Sequence, residues 1–152
     1  MVKKIFYKLY YKEKIKLDKN VSFRNSFFVY IEDNAKLSIG SNTFFNNNCS
    51  ISVMGKVNIG SNCLFGENVK IYDHNHKFRQ ADEPVARQGF TVGSVYVGDN
   101  SWIGTNVVLL KNANIGKHCV IGAGEVVSST IPDNCMLKNS VIIKIENGNK
   151  KV

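Results

Sequence analysis

The sequence predicts an all-β protein, a solenoid of short strands wound around one core, from three observations. The segments LSIGSN and VNIGSN recur with a shift of 20 residues between 31–50 and 51–70. A finer period of six places a large apolar residue at every sixth position there and again in 97–132. Neither a helix nor an amphipathic strand has this spacing. Three units of six residues form a coil of 18 residues, as 97–114 and 115–132 show. Such repeats are typical of solenoids.

Two kinds of residue are expected to point inward. The large ones are Ile39, Phe45, Ile51, Ile59, Phe65, Ile71, Val97, Ile103, Leu109, Ile115, Ile121 and Val127. The small ones, four places after a large one, are Thr43, Cys49, Cys63, Val69, Ser101, Val107, Ala113 and Cys119. Gly, Asn and Asp between them suit tight corners. Three of the four cysteines are thereby assigned to the core, as free thiols. Glu125 departs from the pattern, and a buried carboxylate needs a partner, so we expect the coil to open there or the side chain to turn outward.

Length and charge place the chain in a broad class. At 152 residues it fits one domain, and no apolar run reaches the roughly 18 residues of a membrane span, so we expect a cytoplasmic protein. The net charge of +8 is concentrated at the ends, with seven lysines in residues 1–20. Without a basic run around stacking aromatics in the body of the chain, nucleic acid is not an expected partner.

Three segments follow from this pattern. Residues 1–30 form a basic extension and the first coil, 31–134 the solenoid, and 135–152 a basic tail. The aromatic and lysine residues of the extension leave two interpretations open, a weak association with a membrane surface or a solvated or subunit-packing segment.

The regular repeat breaks once, after the sequence DHNH. The coil that starts at Ile59 runs to His76 and the next begins at Val97, which leaves 77–96 as a loop. A long loop inside a compact repeat is usually functional.

The repetition I-G-x-x-small-x over about residues 31–134 resembles that of the hexapeptide-repeat acyltransferases. His76 ends a hexapeptide before the loop, and Trp102 follows in VGDNSWIGTNVVL, as in the galactoside, maltose, capsule and sialic-acid O-acetyltransferases. This resemblance implies a left-handed parallel β-helix, a homotrimer with active sites between subunits, acetyl-CoA as co-substrate, no metal, and a saccharide acceptor in surface polysaccharide or glycan biosynthesis. Two other functions remain open, N-acetylation of an amino sugar or small amine and a purely structural solenoid.

The two histidines beside the loop are the candidates for the catalytic base. Transfer of an acetyl group to a hydroxyl needs a base near the attacking oxygen, and a histidine pKa near ~6.5 suits this role. His76 is the predicted base and His74 the alternative. In an extended segment both side chains lie on one side, with Asp73 and Asn75 on the other.

The resemblance suggests roles for further residues. Trp102 would wall the active site, Asn46 would contact the acceptor or orient the base, and the Thr105 backbone amide would bind the oxyanion. After IPDNC the family motif A-G-x-P-A-[KR] is replaced by MLKNSVIIK, in which two lysines remain for the coenzyme phosphates. The predicted coenzyme residues are Thr105, Gly104, Ala123, Ser128, Lys138 and Lys144, beside Gly122 and Gly124. The predicted acceptor residues are Asp73, Arg79 and Arg87.

Overall fold

The computed structural model describes residues 2–146, in which most strands form three parallel sheets. The six-stranded sheet contains β1 (Ile15–Leu17), β4 (Lys36–Ile39), β7 (Lys56–Ile59), β12 (Ser94–Val97), β15 (Asn114–Ile115) and β18 (Thr130–Ile131). The seven-stranded sheet contains β2 (Ser22–Phe23), β5 (Phe44–Phe45), β8 (Leu64–Phe65), β13 (Trp102–Ile103), β16 (Val120–Ile121), β19 (Cys135–Lys138) and β20 (Val141–Lys144). The five-stranded sheet contains β3 (Phe28–Ile31), β6 (Ser50–Val53), β9 (Lys70–Tyr72), β14 (Val108–Leu109) and β17 (Val126–Val127).

The chain passes through the three sheets in turn and then begins again, which makes it a parallel β-helix. Ile39 of β4 pairs with Ile59 of β7, and Leu109 of β14 pairs with Val127 of β17. One coil therefore advances the sequence by the 20 residues of the early repeat or the 18 of the later one. The predicted solenoid is confirmed.

The core has the composition that the period of six predicts. Every large and every small inward position named above is buried. The rings of Phe45 and Phe65 stack in successive coils at 4.3 Å between centroids. Such regular stacking of identical positions forms the core contacts between neighbouring coils.

The polar groups in this core all have partners. The hydroxyl of Thr43 donates to the carbonyl of Gly60 at 2.9 Å, and that of Ser101 donates to the carbonyl of Gly116 at 3.0 Å. All four cysteines are free and buried, and burial raises the pKa of the Cys63 thiol. Hydroxyls and thiols therefore fill the small positions at no cost in unpaired polar atoms.

Glu125 keeps its inward place, and the coil stays closed. Only 9% of its surface is exposed, and both carboxylate oxygens accept from the backbone amide of Ser140, at 3.1 and 3.3 Å. The partner lies in the turn between β19 and β20, beyond the repeat. Neither expected way of avoiding burial is needed, because the terminal hairpin supplies a donor.

The two ends of the described solenoid differ. Helix α1 (Val2–Tyr11) and a 3₁₀ turn (Lys12–Lys14) precede the first coil, which begins at Ile15. The hydroxyls of Tyr7 and Tyr11 donate to the carbonyls of Phe27 and Val29. The helix thus packs on the first coil, while Ile5, Phe6, Leu9 and Tyr10 on its other side are exposed. No helix within residues 2–146 has the length and apolar character needed to cross a membrane.

At the other end, β19 pairs in parallel with β16 and antiparallel with β20. The antiparallel partner closes the edge of the seven-stranded sheet, where another coil would otherwise stack. Of the predicted basic tail, 147–152 lies outside the described residues.

The excursion from the solenoid is a hairpin with slightly different bounds from those predicted. Strand β10 (His74–His76) pairs antiparallel with β11 (Phe90–Val92), and a 3₁₀ turn (Val85–Arg87) lies between them. The predicted loop of 77–96 is corrected at both ends, because β10 has already left the coil and β12 has already joined the next one. Ser94 pairs with Lys56 in the six-stranded sheet.

Candidate active site

The predicted site residues lie mainly along two edges of the solenoid. The loop edge joins the five-stranded and six-stranded sheets and comprises Met54–Gly55, 74–93 and Lys111–Asn112. The glycine edge joins the seven-stranded and five-stranded sheets. There Asn46, Gly66, Gly104 and Gly122 stack, each amide donating to the coil that follows.

Asp73 anchors the start of the hairpin on the loop edge. Its side chain is fully buried, and its two oxygens accept from the backbone amides of Met54 and Gly55, each at 2.8 Å. The same carboxylate lies 3.0 Å from Nδ1 of His74. Because a carboxylate only accepts hydrogen bonds, Nδ1 is the donor. Asp73 was predicted to bind the acceptor; in this chain its oxygens face protein donors rather than the surface.

The two histidines flank one aromatic ring, and their environments differ. The ring centroid of Phe90 lies 5.5 Å from that of His74 and 4.3 Å from that of His76. His74 retains only 12% side-chain exposure beside Asp73, while His76 is exposed. Both imidazoles contact the same side of the hairpin, as the alternation of an extended segment predicts.

A cavity of about 440 Å³ lies beside His76. Its walls are Asn75, His76, Lys77, Phe78, Arg79, Gln80, Gln88, Thr91 and Lys111. Three of these residues are cations and none is a carboxylate. His74 is not among them, so His76 is the histidine that meets the cavity.

The hairpin is braced by its own polar contacts. The side-chain amide of Gln88 donates to the carbonyls of Gln80 and Glu83, and its oxygen accepts from the amide of Gln80. The hydroxyl of Thr91 donates to the carbonyl of Asn75. These contacts give the cavity wall a defined shape without burying an apolar core in the loop.

The glycine edge brings together most of the predicted coenzyme residues. A Cβ on Gly104 would lie 2.8 Å from the amide nitrogen of Ala123, and one on Gly122 would lie 3.6 Å from Cα of Lys138. Successive coils therefore approach each other closely at this edge, and no side chain of Gly104 or Gly122 covers the backbone there. Lys138 is exposed at the end of this edge.

The Thr105 amide lies on the same edge. At the other corner, between the six-stranded and seven-stranded sheets, two stacked carboxylates cap amides of the preceding coil, Asp99 for Ser61 at 2.8 Å and Asp133 for Lys117 at 2.8 Å. The residue stacked on Thr105 is Ala123, whose methyl group accepts no hydrogen bond. The Thr105 amide therefore keeps no cap from the next coil.

Trp102 lies on the seven-stranded sheet with its side chain outward. It pairs with Leu64 and is 51% exposed. Neither Trp102 nor Asn46 is on the loop edge, and the five-stranded sheet separates that edge from the glycine edge. One chain therefore does not bring His76 together with these residues.

The remaining predicted residues are scattered. Ser128 follows β17 at the loop edge, and Lys144 pairs with Cys135 at the start of β19. Arg79 lines the cavity, whereas Arg87 is exposed in the 3₁₀ turn and does not. Within the described part of the chain, no three His, Cys, Asp or Glu side chains form a group suited to a metal ion.

Sequence reasoning missed Lys111 and Phe90. Lys111 reaches the cavity from a solenoid corner 20 residues after Thr91, to whose hydroxyl its Nζ donates at 3.3 Å. The pairing of the coils could have identified Lys111, because this residue occupies the corner one turn of the solenoid after the loop.

Two family models match the second half of the chain. One is described as bacterial transferase hexapeptide (six repeats) and covers residues 94–124; the other is the hexapeptide repeat of succinyl-transferase and covers 112–144. The chain belongs to the hexapeptide-repeat transferases.

Relatives of this family extend the match. The putative acetyltransferase YJL218W of Saccharomyces cerevisiae is 39% identical over 106 residues, 69% of this chain and 53% of that protein. The putative acetyltransferase SACOL2570 of Staphylococcus aureus is 34% identical over 116 residues, 73% of this chain and 56% of that protein. The chain thus spans about half the length of these relatives. A galactoside O-acetyltransferase of Lactococcus lactis is 43% identical over 54 residues, 31% of this chain and 26% of that protein.

Solved structures agree on the fold. A maltose O-acetyltransferase from Clostridium difficile 630 has a TM-score of 0.72 at 27% identity, over 90% of this chain and 73% of that one. A galactoside acetyltransferase in complex with coenzyme A has a TM-score of 0.68 at 27% identity, over 83% of this chain and 66% of that one.

Proposed function

We propose that this hexapeptide-repeat protein is an acetyl-CoA-dependent O-acetyltransferase that acts on a saccharide hydroxyl in surface polysaccharide or glycan biosynthesis. The observation that carries the proposal is His76, an exposed imidazole at the wall of a cavity, on the hairpin that interrupts the regular coils. The names of the relatives support it, since they include maltose and galactoside acetyltransferases, one of them in complex with coenzyme A.

His76 acts as the general base in this proposal. Its imidazole takes the proton of the acceptor hydroxyl while that oxygen attacks the thioester carbonyl. The tetrahedral intermediate then collapses, the carbon–sulfur bond breaks, and the imidazolium returns its proton to the departing thiolate. The products are the O-acetyl sugar and free coenzyme A.

The uncapped amide of Thr105 suits the oxyanion of this intermediate. A preorganised backbone donor is worth most where negative charge develops, and Ala123 leaves this amide without a cap. The pantetheine arm of the coenzyme would follow the glycine edge past Gly104 and Ala123. Lys138, exposed at its end, would meet a phosphate.

The site is proposed to be completed by a second subunit of a homotrimer. His76 lies on the loop edge, while Thr105, Asn46 and Trp102 lie on or beside the glycine edge, a sheet away. The loop edge of one subunit set against the glycine edge of the next would bring base, oxyanion donor and coenzyme together. Symmetric packing of this kind repeats around a closed ring.

The base assignment is tested with three matched histidine variants. In His76→Asn we expect acceptor-dependent release of coenzyme A to fall by about 10²–10⁴-fold, because a general base contributes that much. His118→Asn is the control, since His118 is exposed at a corner where its φ is +53° and asparagine is well tolerated. The measurement is thiol release from acetyl-CoA over a panel of neutral, acidic and amino sugars.

The outcomes separate the two histidines. Loss of turnover in His76→Asn with coenzyme affinity retained supports the proposal. Full activity in His76→Asn with loss in His74→Asn would transfer the role of base to His74. If the unmodified protein bound no acetyl-CoA and released no thiol with any acceptor, the transferase proposal would be wrong.

A further inference from the structure

The cavity beside His76 has a charge that the proposed reaction does not require. Lys77, Arg79 and Lys111 line it, and none of its lining residues is acidic. We infer that the acceptor sugar carries an anionic group, a carboxylate or a phosphate, which these cations bind; this rests on the proposed function and names its substrate class.

The three cations have no carboxylate partner. The ion pairs between lysine and a carboxylate in residues 2–146 are Lys14–Asp33, Lys16–Asp18 and Lys117–Asp99, none of which involves a cavity residue. The acids of the loop, Asp82 and Glu83, are exposed and do not line the cavity. Within that described range, the positive charge beside His76 is therefore not neutralised by the protein.

The charges come from two separate elements. Lys77 and Arg79 follow β10 on the hairpin, whereas Lys111 projects from the corner after β14 in the next coil. A Cβ on Gly93, where the chain rejoins the solenoid, would lie 2.6 Å from Cγ of Lys111. Absence of a side chain there lets the half-buried Lys111 pass under the hairpin to the cavity.

Positive charge at a concave site concentrates anions. A cleft lined by one sign of charge focuses the field and raises the local concentration of an oppositely charged ligand. Arg79 offers the planar fork that fits a carboxylate or phosphate, and the two lysines add point charges. A neutral sugar would gain nothing from leaving these three cations without a counterion.

The other walls fit the rest of a sugar. Asn75, Gln80 and Gln88 offer amide groups to hydroxyls, and Phe78 offers an apolar face. The volume of about 440 Å³ is in the range of small-ligand sites. The acceptor class is therefore a hexuronate or a sugar phosphate, with the acylated hydroxyl directed to His76.

The test compares acceptors that differ in one group. Methyl glucoside, methyl glucuronide and methyl glucoside 6-phosphate, with the corresponding galactose and mannose series, are assayed for thiol release from acetyl-CoA. We expect kcat/KM for an anionic member to exceed that of its neutral counterpart by about tenfold or more, with the excess shrinking between low and about 0.5 M salt because screening shortens the range of the field. The uronate and phosphate arms tell which anion is preferred.

Charge-neutral variants locate the effect. Arg79→Gln and Lys111→Gln should each raise KM for the anionic acceptor by about tenfold and so shrink the advantage in kcat/KM of the anionic over the neutral acceptor. Lys19→Gln, an exposed corner lysine far along the chain from the cavity, is the control and should change neither. Saturation-transfer NMR of the methyl glycosides, with coenzyme A present, reports binding without turnover.

Failure of this inference is distinct from failure of the proposed function. Equal turnover of neutral and anionic acceptors, or a preference that survives both variants, overturns the anionic site while the transferase stands. If no acceptor is acetylated and coenzyme A does not bind, the function fails. Even then the NMR comparison tests the anionic acceptor site, because equal binding of the glucoside, the glucuronide and the glucoside phosphate would overturn this inference.

Discussion

Asp73 shows how one residue joins the solenoid to the hairpin. Its carboxylate accepts from two amides of the preceding coil and from His74, so three donors converge on one buried group. Removing one partner of a buried hydrogen bond costs more than the bond itself contributes, because the other partner is left unpaired. We therefore expect Asp73 to act as a positioning residue.

The variant Asp73→Asn tests this role. An amide cannot accept on both of its ends, so we expect the free energy of unfolding to fall by about 1–3 kcal/mol and turnover to fall more than coenzyme affinity. Asp82→Asn, at an exposed loop carboxylate, is the matched control and should behave as the unmodified protein. Denaturant unfolding and separate measurement of kcat and KM check both parts. An unchanged midpoint would show that the carboxylate is dispensable.

Sequence reasoning reached these residues only in part. The alternation of side chains predicts that His74 and His76 share a side, and both contact Phe90. Burial of Asp73 could not be predicted in the same way, because its partners Met54 and Gly55 stand one coil earlier in the chain. Hydrogen bonds between coils depend on the exact stacking, which the period of six does not specify.

Corners are the element on which the coil depends. Within residues 2–146, eleven asparagines have positive φ: ten at corners of the solenoid, among them Asn42 and Asn62, and Asn139 in the turn of the terminal hairpin. Side-chain amides also join neighbouring corners, as Asn42 Nδ2 donates to Asn62 Oδ1 at 3.1 Å and Asn20 Nδ2 donates to Asn42 Oδ1 at 3.0 Å. The repeated asparagine thus serves backbone conformation and a ladder between coils.

Two substitutions at Asn42 separate these contributions. Asn42→Ala removes the ladder and places in the left-handed region a residue that tolerates φ +59° less well, whereas Asn42→Gly removes the ladder with a residue that adopts this φ without steric cost. We expect the alanine variant to be less stable than the glycine variant by about 1 kcal/mol. Asn114→Ala, in strand β15, is the control for loss of an exposed asparagine. Equal midpoints of thermal unfolding for Asn42→Ala and Asn42→Gly would contradict the backbone explanation.

The loop was predicted as an element but its form was not. Its approximate length follows from counting the missing repeat, since the coil breaks after DHNH and resumes near Val97. Its antiparallel pairing of β10 with β11 depends on contacts such as that of His76 with Phe90. No period in the sequence reports such a pairing, which is why the cavity beside the hairpin was not predicted.

At the scale of the whole molecule, the outer faces of the sheets differ in polarity. The seven-stranded sheet presents a row of outward apolar residues in register: Phe44, Leu64, Trp102, Val120, Met136 and Ile143. The same row on the six-stranded sheet is Ser38, Asn58, Tyr96, Asn114 and Thr130. A contiguous apolar row of this kind is typical of an interaction surface, and it contains Trp102, the residue predicted to wall the site.

The proposed trimer assigns this row to contact between subunits. Leu64 is 48% exposed beside Trp102, so Leu64→Glu leaves the chain free to fold but places a charge in the contact, where burying it unpaired is costly. We expect the unmodified protein to have three times the 17.0 kDa mass of the chain and Leu64→Glu to be monomeric, by light scattering after size-exclusion chromatography. Thr130→Glu, an outward residue of the six-stranded sheet, should remain trimeric.

The same variant links assembly to chemistry. Because the proposed base and the proposed oxyanion donor lie on different edges of one chain, a folded monomer should retain its circular dichroism spectrum yet lose turnover by about 10²-fold or more, the cost of misplacing a catalytic group. A trimeric Leu64→Glu protein would show that another face forms the interface. A fully active monomer would instead show that one chain holds a complete site, and the pairing of edges between subunits would be wrong.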